Sequence, residues 1–267
     1  MDAHLPEYEL YAIRYAERDA RRSDHFIGGD PHDGPMPMDY FVWVAVAPHH
    51  TVVIDTGFTA EVAAARKRRF LRCPIEALSL VGIDGSAVKD VVLTHMHYDH
   101  VGNFHRLPNA QFHLQEVELH YTTGRHMRHP FLARPFEVED VVGIVRLNFA
   151  QRVKLYDGPA ELSPGITLHP VGGIRRACSL FASIPAADGS CWLPTSRIIM
   201  RTWRRAGPSP RPSTSATCST PTTYCAAHAP SSHHIILGHD PLVMRQYPAP
   251  RPELEGVVVR LDVMPRG

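Results

Sequence analysis

Apolar residues fall along this chain in short runs, punctuated by Gly, Pro and charged positions, a pattern that predicts buried strands alternating with short helices. Residues 10–15 read as a first strand and residues 18–37 as a polar, Gly/Pro-punctuated loop. The near-continuous apolar run 40–47 is followed by a turn at His49 and His50 and a strand over 51–55. A helix is predicted over 59–72, with Glu61, Arg66, Lys67 and Arg69 as its solvated face. Segments 76–81 and 86–89 look helical, 110–114 is a strand, and a helix starts at 115–121. Strands at 153–156 and 166–171 flank a turn at Asp157 and Gly158, which reads as hairpin-like.

Within this pattern one stretch carries chemistry. Val91, Val92 and Leu93 make a short buried strand, and His95, His97, Asp99 and His100 follow at once, with Gly102 and Asn103 closing the turn. Four potential ligands at a strand end cannot be housed in an apolar core without partners. Imidazole and carboxylate together suit zinc and similar first-row metals. His95 and His97 point the same way in an extended segment, while Asp99 and His100 fall on the turn, displaced enough to serve a second metal. The other histidines at 105, 113, 120, 126 and 129 read as surface residues, and His169 as structural. Segment 125–139 mixes His126, His129, Phe131 and Phe136 with basic residues and by itself reads as a surface insertion.

Size and charge narrow the class. At 267 residues with 44% hydrophobic content, the chain fits one globular domain over 1–267. A net charge of +1 argues against nucleic acid or an anionic membrane as an obligatory partner. The first residues lack a signal-peptide pattern and no run reaches membrane-spanning length, so a cytoplasmic location is expected. Five cysteines without a CxxC pair argue against a disulfide framework: Cys73 stands alone, while Cys178, Cys191, Cys218 and Cys225 crowd together.

THMHYDHVGN resembles the HxHxDH signature of the metallo-β-lactamase superfamily. VVIDTGF (52–58), GITLHPVGG (165–173) and IILGHDPLV (235–243) are similar to further pieces of that family, in its order. The N-terminal region and the tail GHDPLVMRQYPA resemble the N-acyl homoserine lactonases. The resemblance implies an α/β fold, a four-layer αβ/βα sandwich with metals at one edge. It also implies a two-zinc hydrolase that opens the lactone ring of N-acyl homoserine lactones (quorum quenching). In a lactonase, segment 125–139 would be part of the cap over the acyl chain. One metal would take His95, His97 and a third His; the other would take Asp99, His100 and His239, with a bridging aspartate between them. Asp99 would also shuttle a proton to the leaving oxygen, and Asp55 would sit behind the ligands and orient one of them. Another ester, thioester or lactam hydrolase of the superfamily is the enzymatic alternative.

From residue 174 to about 232 the character changes to Pro, Ser, Thr, Arg and Cys without lasting periodicity. Here the implied third His position is Ile174, and the bridging Asp falls near Pro194 and Thr195. A shift of coding frame accounts for this. If Gly173 to Ala177 are written with the permitted codons GGC ATT CGG CGG GCN, reading one base early from the last base of glycine gives His-Ser-Ala-Gly. The same shift can turn 189–200 into an apolar strand leading to an aspartate, and 216–225 into an amphipathic helix. The block therefore reads as frame-shifted, irregular and non-native, with the frame restored before His233. A genuine insertion is the competing reading. Two remaining histidines make a poor zinc site, so the chain reads as an impaired hydrolase or an inactive product of a disrupted gene.

Overall fold

The computed structural model describes residues 6–26, 31–170, 180–183, 236 and 238–266. Strand β1 (Glu9–Arg18) pairs antiparallel with β2 (Met38–Ala47), and β2 with β3 (His50–Ile54). From β3 the direction of growth changes. β5 (Asp90–Val92), β6 (Gln111–Gln115) and β7 (Val153–Tyr156) add in parallel, each reached through helical crossovers. β11 (Val258–Arg260), near the C-terminus, closes the far edge on β1. With β4 (Arg69–Phe70) on β1, these strands make one eight-stranded mixed sheet. β8 (Ala160–Ser163), β9 (Ile166–Pro170) and β10 (Leu180–Ser183) form a second, antiparallel sheet.

Alternation along the strands explains the layers. Ile13, Val42, Val53, Val91 and Phe112 face one side of the large sheet. There they pack against helical residues Ala63, Leu78, Leu119 and Ile144. Leu10, Phe41, Trp43, Val52 and Ile54 face the other side, against Ile166 and Leu168 of β9. Helices, a mixed sheet and a second sheet behind it are the layers of the described residues, in keeping with the expected α/β sandwich. Among those residues no helix is long and apolar enough to cross a membrane.

Several local expectations are corrected. The helix expected over 59–72 is only α2 (Ala60–Ala65), started by the Thr59 side chain accepting from Val62 N–H. Residues 69 and 70 are strand instead, because Arg69 and Phe70 pair with Glu17 and Ala16 of β1. Arg66 is no mere surface charge; it ties distant segments together, as described below. The loop expected over 18–37 contains a one-turn helix, α1 (Arg22–His25). Segment 76–81 is a 3-10 helix, and so is Gly85–Ala87. The turn at Asp157 and Gly158 makes no hairpin: β7 belongs to the large sheet and β9 to the small one, so this turn carries the chain between layers. His113 is buried rather than surface. Its Nε2 meets Asp90 at 2.9 Å and its Nδ1 meets the Tyr156 hydroxyl at 2.9 Å. His105 and His120 are exposed, and His169 bonds Thr167 Oγ1 at 2.9 Å. Of the block 174–232 only residues 180–183 are described, as β10; Ile174, Pro194 and Thr195 lie outside the described residues.

Candidate metal centre

The site lies where the parallel strands β3 and β5 end, the edge at which open α/β sheets bind ligands. After β3 the backbone turns sharply: Asp55 takes φ +64° and Gly57 φ +64°. After β5 come Thr94 and the histidine motif, with Asp99 and His100 on a one-turn helix, α3 (Tyr98–Val101). The two loops are knitted together by Thr56 N–H to His100 O at 2.7 Å, Gly102 N–H to Gly57 O at 2.6 Å and Asn103 Nδ2 to Thr56 O at 2.9 Å. A Cβ at Gly102 would stand 2.9 Å from that Gly57 oxygen and 3.0 Å from Phe58 Cα, so the close approach needs glycine.

His95, His97, Asp99, His100 and His239 are all brought together and buried. Ring centroids lie 4.4 Å apart for His95 and His97, 3.9 Å for His95 and His100, and 5.6 Å for His100 and His239. His239 arrives just before α7 (Leu242–Gln246), anchored by Nδ1 donating to Asp39 O at 3.1 Å. Asp99 is fixed from behind by the Tyr15 hydroxyl donating to its backbone oxygen at 2.9 Å.

Proton counting sets the tautomers. The Asp55 carboxylate only accepts, so His100 donates Nδ1–H to it at 2.7 Å and the Thr94 hydroxyl donates to it at 2.8 Å. That uses the one hydroxyl proton of Thr94, so its contact with His95 Nδ1 at 3.0 Å has the imidazole donating. Nε2 of His95, His100 and His239 are thereby the free faces of their rings. Among the described residues, Nε2 of His95 and of His100 is buried without a hydrogen-bond partner, which in a native interior calls for a ligand.

Electrostatics agree. Burial alone would drive the His100 proton off, but Asp55 and Asp99 outweigh it and push this imidazole up to about 10. Burial likewise opposes charge on Asp99, yet His100, His239 and His97 hold its carboxyl well below the usual carboxylate range. Burial, with neighbouring imidazoles, keeps His95 well below its usual range and His97 down at about 4, so both are neutral. The field that keeps a proton on His100 is one that favours a cation.

Asp99, His100 and His239 offer donor atoms all within 4.8 Å of one another. Asp99 Oδ2 lies 3.5 Å from His100 Nε2 and 3.5 Å from His239 Nε2. Tetrahedral bonds of ~2.0–2.1 Å require donor spacings of roughly 3.4 Å, so these residues fit a zinc-like ion. Asp55 and Asp39 O are the acceptors behind the ligand rings that such sites need.

Thr94, Asp39, Tyr15 and Glu118 were missed by sequence reasoning. Thr94 is adjacent to the motif and legible in retrospect. Asp39 acts through its backbone, which leaves no signal in residue type. Glu118, on α4 (Glu116–Thr123), accepts Met96 N–H at 3.2 Å, and burial pushes its carboxyl up to about 8.

A model of the metallo-beta-lactamase superfamily matches residues 37–176, just over half of the chain. No curated protein matches the sequence. Among solved structures, an N-acyl homoserine lactone hydrolase with the product N-hexanoyl-L-homoserine at its catalytic metal center aligns at TM-score 0.65 and 13% identity. That alignment covers 91% of this chain and 96% of the other. An AiiA mutant from B. thuringiensis with N-decanoyl-L-homoserine at its active site aligns at TM-score 0.65 and 13% identity, over 91% and 96%. AidC, a dizinc quorum-quenching lactonase, aligns at TM-score 0.54 and 16% identity, over 71% of each chain. With the fold, the buried histidine cluster and the family match in agreement, the chain belongs to the metallo-beta-lactamase superfamily of metal-dependent hydrolases.

Proposed function

We propose that this protein is a metal-dependent hydrolase that opens the lactone ring of N-acyl homoserine lactones, a quorum-quenching activity. The carrying observation is the buried Asp99, His100 and His239 cluster with ligand-ready nitrogens at a sheet edge. The lactone reading is supported by the resemblance of both chain ends to lactonases and by the lactonases among the structural neighbours.

His100 and His239 would hold the ion together with Asp99, and His95 and His97 border it. A divalent cation held there polarises a carbonyl and makes water nucleophilic at neutral pH. Asp99 starts ionised and accepts the proton of the attacking water. As the ring C–O bond breaks, that proton passes to the leaving alkoxide, so the carboxylate ends as it began. Asp55 keeps His100 in the tautomer that presents Nε2.

Segment 125–139, which contains the short helix α5 (Pro130–Ala133), would form the wall that receives the acyl chain. Phe136 meets the His97 ring edge-on at 5.0 Å and Phe131 is 60% exposed. The test is ring opening of N-hexanoyl homoserine lactone, followed by acid release, against a panel of aryl esters, thioesters and β-lactams. Turnover of a panel member with the lactone untouched would move the function elsewhere in the superfamily.

A second reading, an impaired product of a shifted coding frame, is favoured by the family match stopping at residue 176, two residues beyond Ile174. Sequencing the coding DNA across residues 165–240 tests it. A corrected frame that supplies His and Asp restores an ordinary two-metal hydrolase and removes this reading. An unchanged frame leaves the chain without half of the implied ligands and supports it, with little or no hydrolysis expected.

A further inference from the structure

We infer that this polypeptide, as its sequence stands, holds one divalent cation per chain, between Asp99, His100 and His239, and not a pair. The inference builds on the metal-dependent hydrolase reading, but it concerns stoichiometry and place. Three donors converge there, with Asp99 Oδ2 3.5 Å from both imidazole Nε2 atoms. Both imidazoles are locked from behind, His100 by Asp55 at 2.7 Å and His239 by Asp39 O at 3.1 Å. Three protein ligands with a fourth position open is the pattern of a catalytic zinc.

His95 and His97 form the other half of the cluster and stand differently. Among the described residues no third His, Cys, Asp or Glu joins them in a converging set, since the one such set is Asp99, His100 and His239. The nearby carboxylate of Glu118 is turned to Met96 N–H at 3.2 Å and is not part of that set. The sequence places Ile174, which cannot coordinate, where the resemblance implies a third histidine. Among the described residues these two imidazoles have no third converging donor, and two imidazoles alone hold a divalent cation weakly.

The experiment counts ions on the full chain. Protein stripped with chelator, loaded with cobalt(II) and desalted is measured by elemental analysis and by visible absorption. The expected result is one cobalt per chain with intense tetrahedral bands. His239→Ala should lose it, with affinity down roughly 100-fold or more, while His97→Ala keeps one ion and the same bands. His239→Gln, whose amide can still donate to Asp39 O, serves if the alanine variant does not fold. Two ions per chain, no tightly held ion, or loss in His97→Ala with retention in His239→Gln would each overturn the inference. Turnover does not enter the count. A chain with one ion and no lactone opening sinks the substrate reading alone, and a lactonase with two ions sinks this inference alone.

Discussion

Asp55 accepts the Nδ1 proton of His100 at 2.7 Å from a backbone held at φ +64°, a conformation that few non-glycine residues adopt. The strain persists because the same carboxylate also accepts Thr94 N–H at 2.8 Å and the Thr94 hydroxyl. One side chain thus orders the ends of two strands and aims the His100 imidazole into the cluster.

Asp55→Asn should therefore weaken metal binding more than it weakens the fold. An amide must turn its NH2 toward either Thr94 or His100, both of which donate. The expected loss is ~10–100-fold in zinc affinity, read by competition with a chromophoric chelator. Unchanged affinity in a folded variant would remove Asp55 from the site's support.

Gly102→Ala should destabilise by about 1–3 kcal/mol, because the new methyl meets Gly57 O and Phe58 Cα, both backbone atoms that cannot swing aside. Urea denaturation measures this, and a loss below ~0.5 kcal/mol would show that the two loops can part.

Asp140, on α6 (Val138–Phe149), gives a pH signature away from the ligands. Burial, then Glu137 and Glu139, push its carboxyl up to about 7 against the pull of Arg66. A folded value above the unfolded one means stability that is complete below about 3.8 and is lost as pH rises to about 7. Asp140→Asn should flatten that slope and be more stable than the parent at pH 8, on the order of 2–4 kcal/mol. Parallel melting curves for the two proteins from pH 4 to 8 would refute it.

Arg66 sits at the end of α2 and gathers the segment before α6. Its guanidinium reaches Glu137 at 2.7 Å, Arg134 O at 2.9 Å and Phe136 O at 3.3 Å, and lies 3.9 Å over the Tyr98 ring. Arg66→Ala should loosen residues 134–137, raising proteolysis there and destabilising by roughly 1.5–3 kcal/mol. Protection equal to the parent would mean Phe136 and Pro135 O, which accepts Tyr98 N–H at 2.9 Å, suffice alone.

Much of this was legible from residue order. The run before Thr94, the motif itself and the strand before Asp55 all announce a sheet edge carrying ligands. Imidazoles and a carboxylate placed directly after a β-branched run enter the interior with it, and burial there is costly unless they share an ion. Long-range pairing was not legible. Nothing in Arg69 and Phe70 says that β1 will claim them from a helix, and nothing in Asp157-Gly158 says that the flanking strands part into different sheets. His113 looked like surface because its partner Asp90 lies 23 residues earlier in the chain. Arg66 looked solvated because its partners lie about 70 residues onward. Contacts of that separation leave no local trace.

The last thirty residues bring His239 to the site and β11 to the free edge of β1, where Arg260 pairs with Tyr11. An early strand and a late one are thus stitched side by side, and the third residue of the proposed ion site comes in the same segment as the closing strand. A ribosome-bound or truncated chain ending before this segment has neither. Metal loading would in effect report that this late segment has docked, and fragments 1–170 and 236–267 supplied separately should recover the ion only when they reassociate.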